Sequence, residues 1–129
     1  MHANAELVRA FYEARASGDR AGVLRMLHSD VAWHDPYPPP HGGDLVGAGR
    51  VVAEIIEKAG ALTGGSTRLW VEEIIATDRH VSAVVGWSST YRGSTMQSRE
   101  LAVFRIHGAA IAEAWFYPEA PEAALAFFT

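Results

Sequence analysis

Residues 31–40 read VAWHDPYPPP. Val31, Trp33 and Asp35 alternate with Ala32 and His34, which is the two-residue period of a strand. Two apolar side chains and then a carboxylate therefore share one face. Pro36 stops the ladder, because proline has no N–H to give. The strand thus ends with Asp35 pointing where Val31 and Trp33 point, which is inward. A carboxyl at the mouth of an apolar cavity is pushed toward its protonated form and is placed to act as a base. Taken alone, the same residues also fit an exposed Asp that opens a turn before proline.

Upstream, the spacing predicts a helix over 5–16, capped by Asn4, with Leu7, Phe11 and Ala14 in one stripe and Val8 and Tyr12 beside it. Gly18 is suited to the left-handed position that ends many helices. Asp19 caps a second short helix over 20–27, which buries Val23, Leu24 and Leu27. Downstream, Pro36–Gly49 holds four prolines and four glycines and reads as a loop. A third helix is expected over 50–59, with Val51, Val52, Ile55 and Ile56 apolar. After Thr63-Gly64-Gly65-Ser66 the period changes to two. Segments 69–77, 80–92, 95–107 and 110–117 read as four antiparallel strands in a meander, followed by a short helix over 119–128. The whole of 1–129 is expected to be one α+β domain, with three N-terminal helices on a curved antiparallel sheet.

The sheet reads as apolar on both faces. Val81, Ala83, Val85 and Trp87 lie on one face of a strand, Val84 and Gly86 on the other. Leu101 and Val103 likewise oppose Ala102, Phe104 and Ile106. Helices can cover one face only, and either Trp70, Ile74 and Val84 or their neighbours must lie outside. An uncovered apolar face of several hundred Å² marks a partner surface, so a homodimer through the sheet is expected.

Composition excludes several classes. With 49% hydrophobic residues the chain is globular. A net charge of −4 and the lack of a Lys/Arg cluster argue against nucleic acid. The chain has no cysteine, which removes disulfides, thiolate catalysis and Cys-based zinc sites. No apolar run approaches a membrane span, and MHANAELVRA lacks the pattern of a signal peptide. A soluble cytoplasmic protein is expected.

The segments SGDRAGVLRMLHSDVAWHDP, Val51–Glu57 and VFRIHGAAIAEAWFYP, in this order and spacing, resemble the nuclear-transport-factor-2-like superfamily, in particular its SnoaL-like and ketosteroid-isomerase-like members. The resemblance implies a cone-shaped α+β barrel around an apolar pocket, often dimeric through the sheet. It implies no cofactor. Members serve as isomerases, polyketide cyclases, epoxide hydrolases, dehydratases and non-catalytic binding domains, so fold alone does not choose among them.

Residue by residue, the general-base Asp of the isomerases falls on Asp35, and the Trp-His of SnoaL-like members on Trp33-His34. The oxyanion-hole Tyr falls on Phe11, with Tyr12 next to it, and the oxyanion Asp on Ala102. Both donors are missing, which argues against steroid isomerisation by that route. The Arg, Asp and C-terminal Asp of the epoxide hydrolases fall on Trp87, Ser89 and Phe116. The C-terminal carboxylate of SnoaL-type cyclases has Glu113 and Glu119 as its nearest counterparts.

The candidate catalytic residues are Asp35, His34 and Glu100. Glu100 shares a strand face with Ala102, Phe104 and Ile106, or else pairs across strands with Arg92 or Arg99. Strict alternation puts His34 on the face opposite Asp35. Phe11, Tyr12, Trp33, Tyr37, Trp87, Tyr91, Ala102, Trp115 and Tyr117 are the expected pocket lining, suited to a flat or polycyclic apolar ligand. His34, Asp35 and His41 could be read as metal ligands, which their placement on opposite strand faces and in a Pro/Gly loop argues against. Two functions follow: acid–base chemistry on a hydrophobic, polyketide- or terpenoid-like small molecule, or ligand binding and dimerisation without chemistry.

Overall fold

The computed structural model describes residues 2–38 and 42–129. His41 and the metal expectation attached to it lie outside the described residues. Helix α1 (Ala3–Ala16) starts earlier than expected because His2, not Asn4, is its cap: the His2 Nδ1 accepts from the Asn4 N–H at 3.1 Å. Asn4 instead donates from its amide to the Thr77 and Asp78 carbonyls at 2.9 and 3.1 Å, tying the helix to a strand turn. Gly18 takes the left-handed conformation (φ 71°), and the Asp19 N–H closes on the Ala14 carbonyl at 2.8 Å. Asp19 caps α2 (Arg20–Met26) through the Gly22 N–H at 2.9 Å.

Strand β1 (Leu27–Asp35) follows at once, and Leu27 is its first residue instead of the end of the helix. The proline-rich loop contains a strand that the sequence did not announce, β2 (Gly43–Val46), which pairs antiparallel with β1. Next come α3 (Ala48–Val52), a π-helical segment (Ala53–Lys58) and α4 (Ala59–Thr63). This helical run is longer than expected at both ends. The meander is β3 (Arg68–Ala76), β4 (His80–Tyr91), β5 (Ser94–His107) and β6 (Ala110–Pro118), and α5 (Pro121–Phe127) follows it.

The six strands form one curved sheet in the order β2-β1-β6-β5-β4-β3. The sheet is not wholly antiparallel, because β1 runs parallel to β6. The helices lie against the inner face, where Phe11, Val23, Val31, Trp33, Val51, Val52, Val81, Val85, Phe104 and Ile111 are almost fully buried. Such burial is the main stabilising term. Among the described residues, no helix is long and apolar enough to cross a membrane.

The phase of the edge strand β3 changes at a bulge between Val71 and Glu73. Leu69 and Val71 pack inward before it and Ile74 and Ala76 after it. Ile75 is left outside, 73% exposed. Trp70 and Val84 are therefore the outer residues, and Ile74 is an inner one. The Trp70 indole lies flat on Gly86, where a β-carbon would collide with it. With Leu101 at 41% and Tyr117 at 56%, the outer face carries several exposed apolar side chains.

Candidate functional site

Asp35 is held where strand and loop meet. Its Oδ1 accepts the Tyr37 N–H at 3.0 Å, a short turn that folds the chain back beside the carboxyl. Gly42 completes the turn through its N–H on the Pro38 carbonyl at 3.1 Å. A β-carbon on Gly42 would strike the Asp35 carboxylate and the Tyr37 carbonyl, so glycine allows the close approach. Burial raises the pKa of Asp35. The Tyr37 N–H and Arg15 oppose the shift, Glu54 adds to it and Lys58 opposes it.

Glu100 reaches the same inner space from β5. Burial pushes its carboxyl up to about 7, Arg15 draws it down and the charge of Asp35 raises it again. Tyr37 is pushed up to about 12 by burial and by both carboxyls. Tyr12, fully enclosed on α1, is raised by burial and by Glu100, with Arg15 opposing. Asp35, Glu100, Tyr12, Tyr37 and Arg15 thus form one electrostatically connected group at the inner face. Such an arrangement has a carboxyl that can hold a proton near neutrality beside one that can accept it.

Among the described residues, the alternative reading of Glu100, a cross-strand pair with Arg92 or Arg99, does not form. Arg99 on the outer face binds Glu72 and Glu119 at 3.7 and 3.4 Å, and Arg92 covers the Tyr91 ring at 5.0 Å. The alternation of β5 separates Arg99 from Glu100.

Below the polar group lies an aromatic floor. Trp33 packs on Phe116 with ring centroids 4.8 Å apart and on Phe11 at 5.7 Å; Phe104 touches Phe11, Tyr12 and Phe116 at 5.9–6.0 Å. Phe11, Trp33 and Ala102 belong to this packed floor, not to an open wall. Beside the floor, a cavity of about 150 Å³ is lined by Arg15, Ile55, Ile56, Ala59, Thr67 and Leu69 among others. Trp87 and Tyr91 face inward and meet Phe128 at 6.0 and 5.9 Å, so the chain's last aromatic residues cover them.

Two expected lining residues lie elsewhere. Trp115 and Tyr117 are on the outer face of β6, and Phe116 between them points inward. His34 is also outside. Its Nε2 meets Glu113 Oε2 at 2.7 Å, its Nδ1 meets Asp44 Oδ1 at 3.0 Å, and its ring stacks on Trp115 at 5.6 Å. Glu113 also binds the Arg105 Nε at 3.3 Å. His34 and Glu113 are therefore not brought together with Asp35. Glu119 is likewise engaged outside, with Arg99. Among the described residues, no group of three or more His, Asp or Glu is placed to hold a metal ion.

The sequence reading missed Arg15, which looks like an ordinary basic residue in the last turn of a helix. Its only sequence signal is position: Tyr12 and Arg15 are three residues apart and share a helix face. Phe116 was passed over because it stands between two larger-looking candidates.

A helix-backed cone with a polar group above an aromatic floor defines a class of small pocket-bearing α+β proteins. Residues 8–114 match the family described as the SnoaL-like domain, and the chain belongs to that family. Among solved structures, Bal32a from a soil-derived mobile gene cassette superimposes with a TM-score of 0.92 at 22% identity, covering 98% of this chain and 97% of that one. A nuclear-transport-factor-2-like protein of unknown function from Burkholderia pseudomallei gives 0.87 at 25%, covering 100% and 99%. TerC, co-crystallised with polyporic acid, gives 0.85 at 21%, covering 98% of each. No curated protein matches the sequence significantly.

Proposed function

We propose that the protein is a cofactor-independent acid–base enzyme acting on a hydrophobic, polyketide- or terpenoid-like small molecule. The observation that carries this is that Asp35 and Glu100, on the inner face of separate strands, are both raised by burial, and that the charge of Asp35 acts on Glu100. Asp35, at the end of β1, takes a proton from a carbon next to a carbonyl. Glu100, which keeps its proton to about pH 7, gives one to the oxygen or the leaving group. That pair serves cyclisation, isomerisation, dehydration or epoxide opening equally well. TerC, with its polyporic acid, is a fold relative that takes an organic ligand, which supports a small-molecule ligand here.

The test is hydrogen–deuterium exchange at the α-carbon of 2-tetralone, followed by NMR. The wild type should exceed buffer, and Asp35→Asn should lose on the order of 100-fold or more of that gain. Exchange that survives the substitution within a few fold sinks the reading.

The closely packed floor of Phe11, Trp33, Phe104 and Phe116 favours a second reading, a binding module without chemistry. It would bind lipophilic ligands, raise its melting temperature with them, and give no exchange. In either reading, the exposed Trp70, Ile75, Leu101 and Tyr117 support a two-fold homodimer through the outer face. An interface of standard size would bury roughly 1,600 Å². Light scattering should give twice the chain mass of 14.0 kDa, and Leu101→Arg should return it to the single mass. The composition and charge fit a cytoplasmic setting.

A further inference from the structure

Arg15, unlike Arg9, lines the cavity beside Ile55, Ile56 and Leu69. Its Nε is buried without a hydrogen-bond partner, and its side chain makes no ion pair or hydrogen bond among the described residues. It feels Asp35 and Glu100 electrostatically, yet neither closes on it as a salt bridge. Arginine does not give up its proton, so the charge and the vacant donor persist at every working pH. A buried donor without an acceptor is costly unless something else supplies one.

The other polar groups nearby leave no such vacancy. Ser89, Thr67 and Thr63 form a hydroxyl chain at 2.7 and 3.2 Å, and Thr63 donates to the Ala59 carbonyl at 3.0 Å. Thr67 donates to Thr63, so Ser89 must donate to Thr67, and every hydroxyl proton of the chain is used. Two further buried groups on the same helix are unsatisfied, the Tyr12 hydroxyl, one turn before Arg15, and the Arg9 Nε, and both border a different cavity. Arg15 opens onto the cavity of about 150 Å³, whose Ile55, Ile56, Ala59 and Leu69 walls are apolar.

We propose that Arg15 is the anchor for an anionic oxygen, and that the ligand of this cavity is a compact apolar molecule carrying a carboxylate or an equally acidic enol. The inference rests on the reading that this interior is the ligand site. The guanidinium fork fits two oxygens of one carboxylate, and the apolar walls take the hydrocarbon part. The groups whose charges act on Arg15 or on its carboxylate neighbours are Asp35 on β1, Glu100 on β5, Tyr12 on its own helix, Tyr37 in the loop, and Glu54 and Lys58 on the π-helical segment. Glu54 and Lys58 neutralise each other at 3.4 Å. The anion is therefore admitted best when Glu100 holds its proton, so binding should take up a proton and tighten as pH falls from 8 to 6.

The probes are benzoate and its neutral isostere benzamide, titrated calorimetrically. The wild type should bind benzoate at least about tenfold tighter than benzamide at pH 6. Arg15→Gln should erase that ratio while benzamide affinity stays within a few fold, and Arg15→Lys should restore part of it. If Arg15 only tempers Asp35 and Glu100, the ratio survives Arg15→Gln, and the proposal falls. Equal binding of the two probes to the wild type, or binding of neither, also overturns it. Should Arg15→Gln not fold, the wild type decides: benzoate binding must take up a proton in buffers of different ionisation enthalpy and weaken toward pH 8, and benzamide binding must do neither. None of these measurements needs turnover. A wild type that discriminates benzoate but exchanges no protons at 2-tetralone would retain the anchor and lose the acid–base enzyme.

Discussion

On the outer face of β1 the His34 ring lies between two carboxylates, at 2.7 and 3.0 Å, and against the Trp115 indole. One residue later, on the inner face, the Asp35 carboxyl accepts a single backbone N–H and shares its space with a second carboxyl that burial keeps protonated toward neutrality. The two side chains differ in what the pleat offers them. Outside, water and opposite charges satisfy both ring nitrogens, and nothing remains for a ligand. Inside, the charged forms are penalised and donors are left open. A satisfied cluster holds a sheet together, whereas an unsatisfied one under an apolar roof is poised for chemistry.

The sharpest way to break this contrast is to remove the residue that fixes the alternation. Trp33 stands directly before His34 and Asp35 in sequence and is 2% exposed, wedged against Phe116 and Phe11. Trp33→Ala should cost about 3–5 kcal/mol, from lost burial and the cavity left behind. Urea denaturation measures it, and a loss below about 1 kcal/mol would mean that the floor does not hold the strand.

The next effect is smaller and depends on pH. Glu100 titrates near 7 when folded, against an ordinary carboxylate value of 4.5. Between those limits the folded chain keeps a proton that the unfolded chain has lost. Stability contributed by Glu100 is therefore full below about 4.5 and declines as pH rises through about 7. Glu100→Gln removes the titration, so the variant should be the more stable form above pH 7. Glu100 is only partly buried, and solvent screening leaves about 1–2 kcal/mol of the effect. Wild-type and variant stability curves that run parallel from pH 4 to 8 would contradict the placement of this carboxyl.

Much of this contrast is legible in the sequence. The period of two in VAWHD puts His34 and Asp35 on opposite faces, and the change to that period after Thr63-Gly64-Gly65-Ser66 marks the meander. What escaped was local phase. A bulge after Val71 exchanges Ile74 and Ile75, a shift at Arg105/Ile106 alters the register toward β6, and a run such as Trp115-Phe116-Tyr117 gives no sign of which ring points inward. Strand β2 hid in a glycine-rich loop because its four residues make a ladder only when β1 is present. Arg15 escaped for a different reason. Its importance lies in a missing partner, and a missing partner has no signature in sequence.

The smallest expected effect belongs to the outer cluster. The hydrogen bond from Glu113 raises the pKa of His34 above its ordinary 6.5, with Asp44 adding to it and burial opposing. The same bond lowers Glu113, with Arg105 assisting. The two signs differ. His34 contributes stability that is full below 6.5 and is lost as pH rises through its raised folded value. Glu113 contributes stability that is present above the ordinary carboxylate value and is lost as pH falls through its lowered one. The cluster therefore works best in mildly acidic to neutral solution. With about a third of the His34 side chain exposed, His34→Gln should cost under about 1 kcal/mol at pH 6 and nothing by pH 9. The ring's NMR titration should have its midpoint above 6.5. Tetralone exchange in the variant should stay within about twofold of the wild type, since the imidazole faces away from the carboxyls that move the proton. A larger fall in exchange would mean that the two faces of β1 are coupled, and that the division between structural and reactive charge drawn here is wrong.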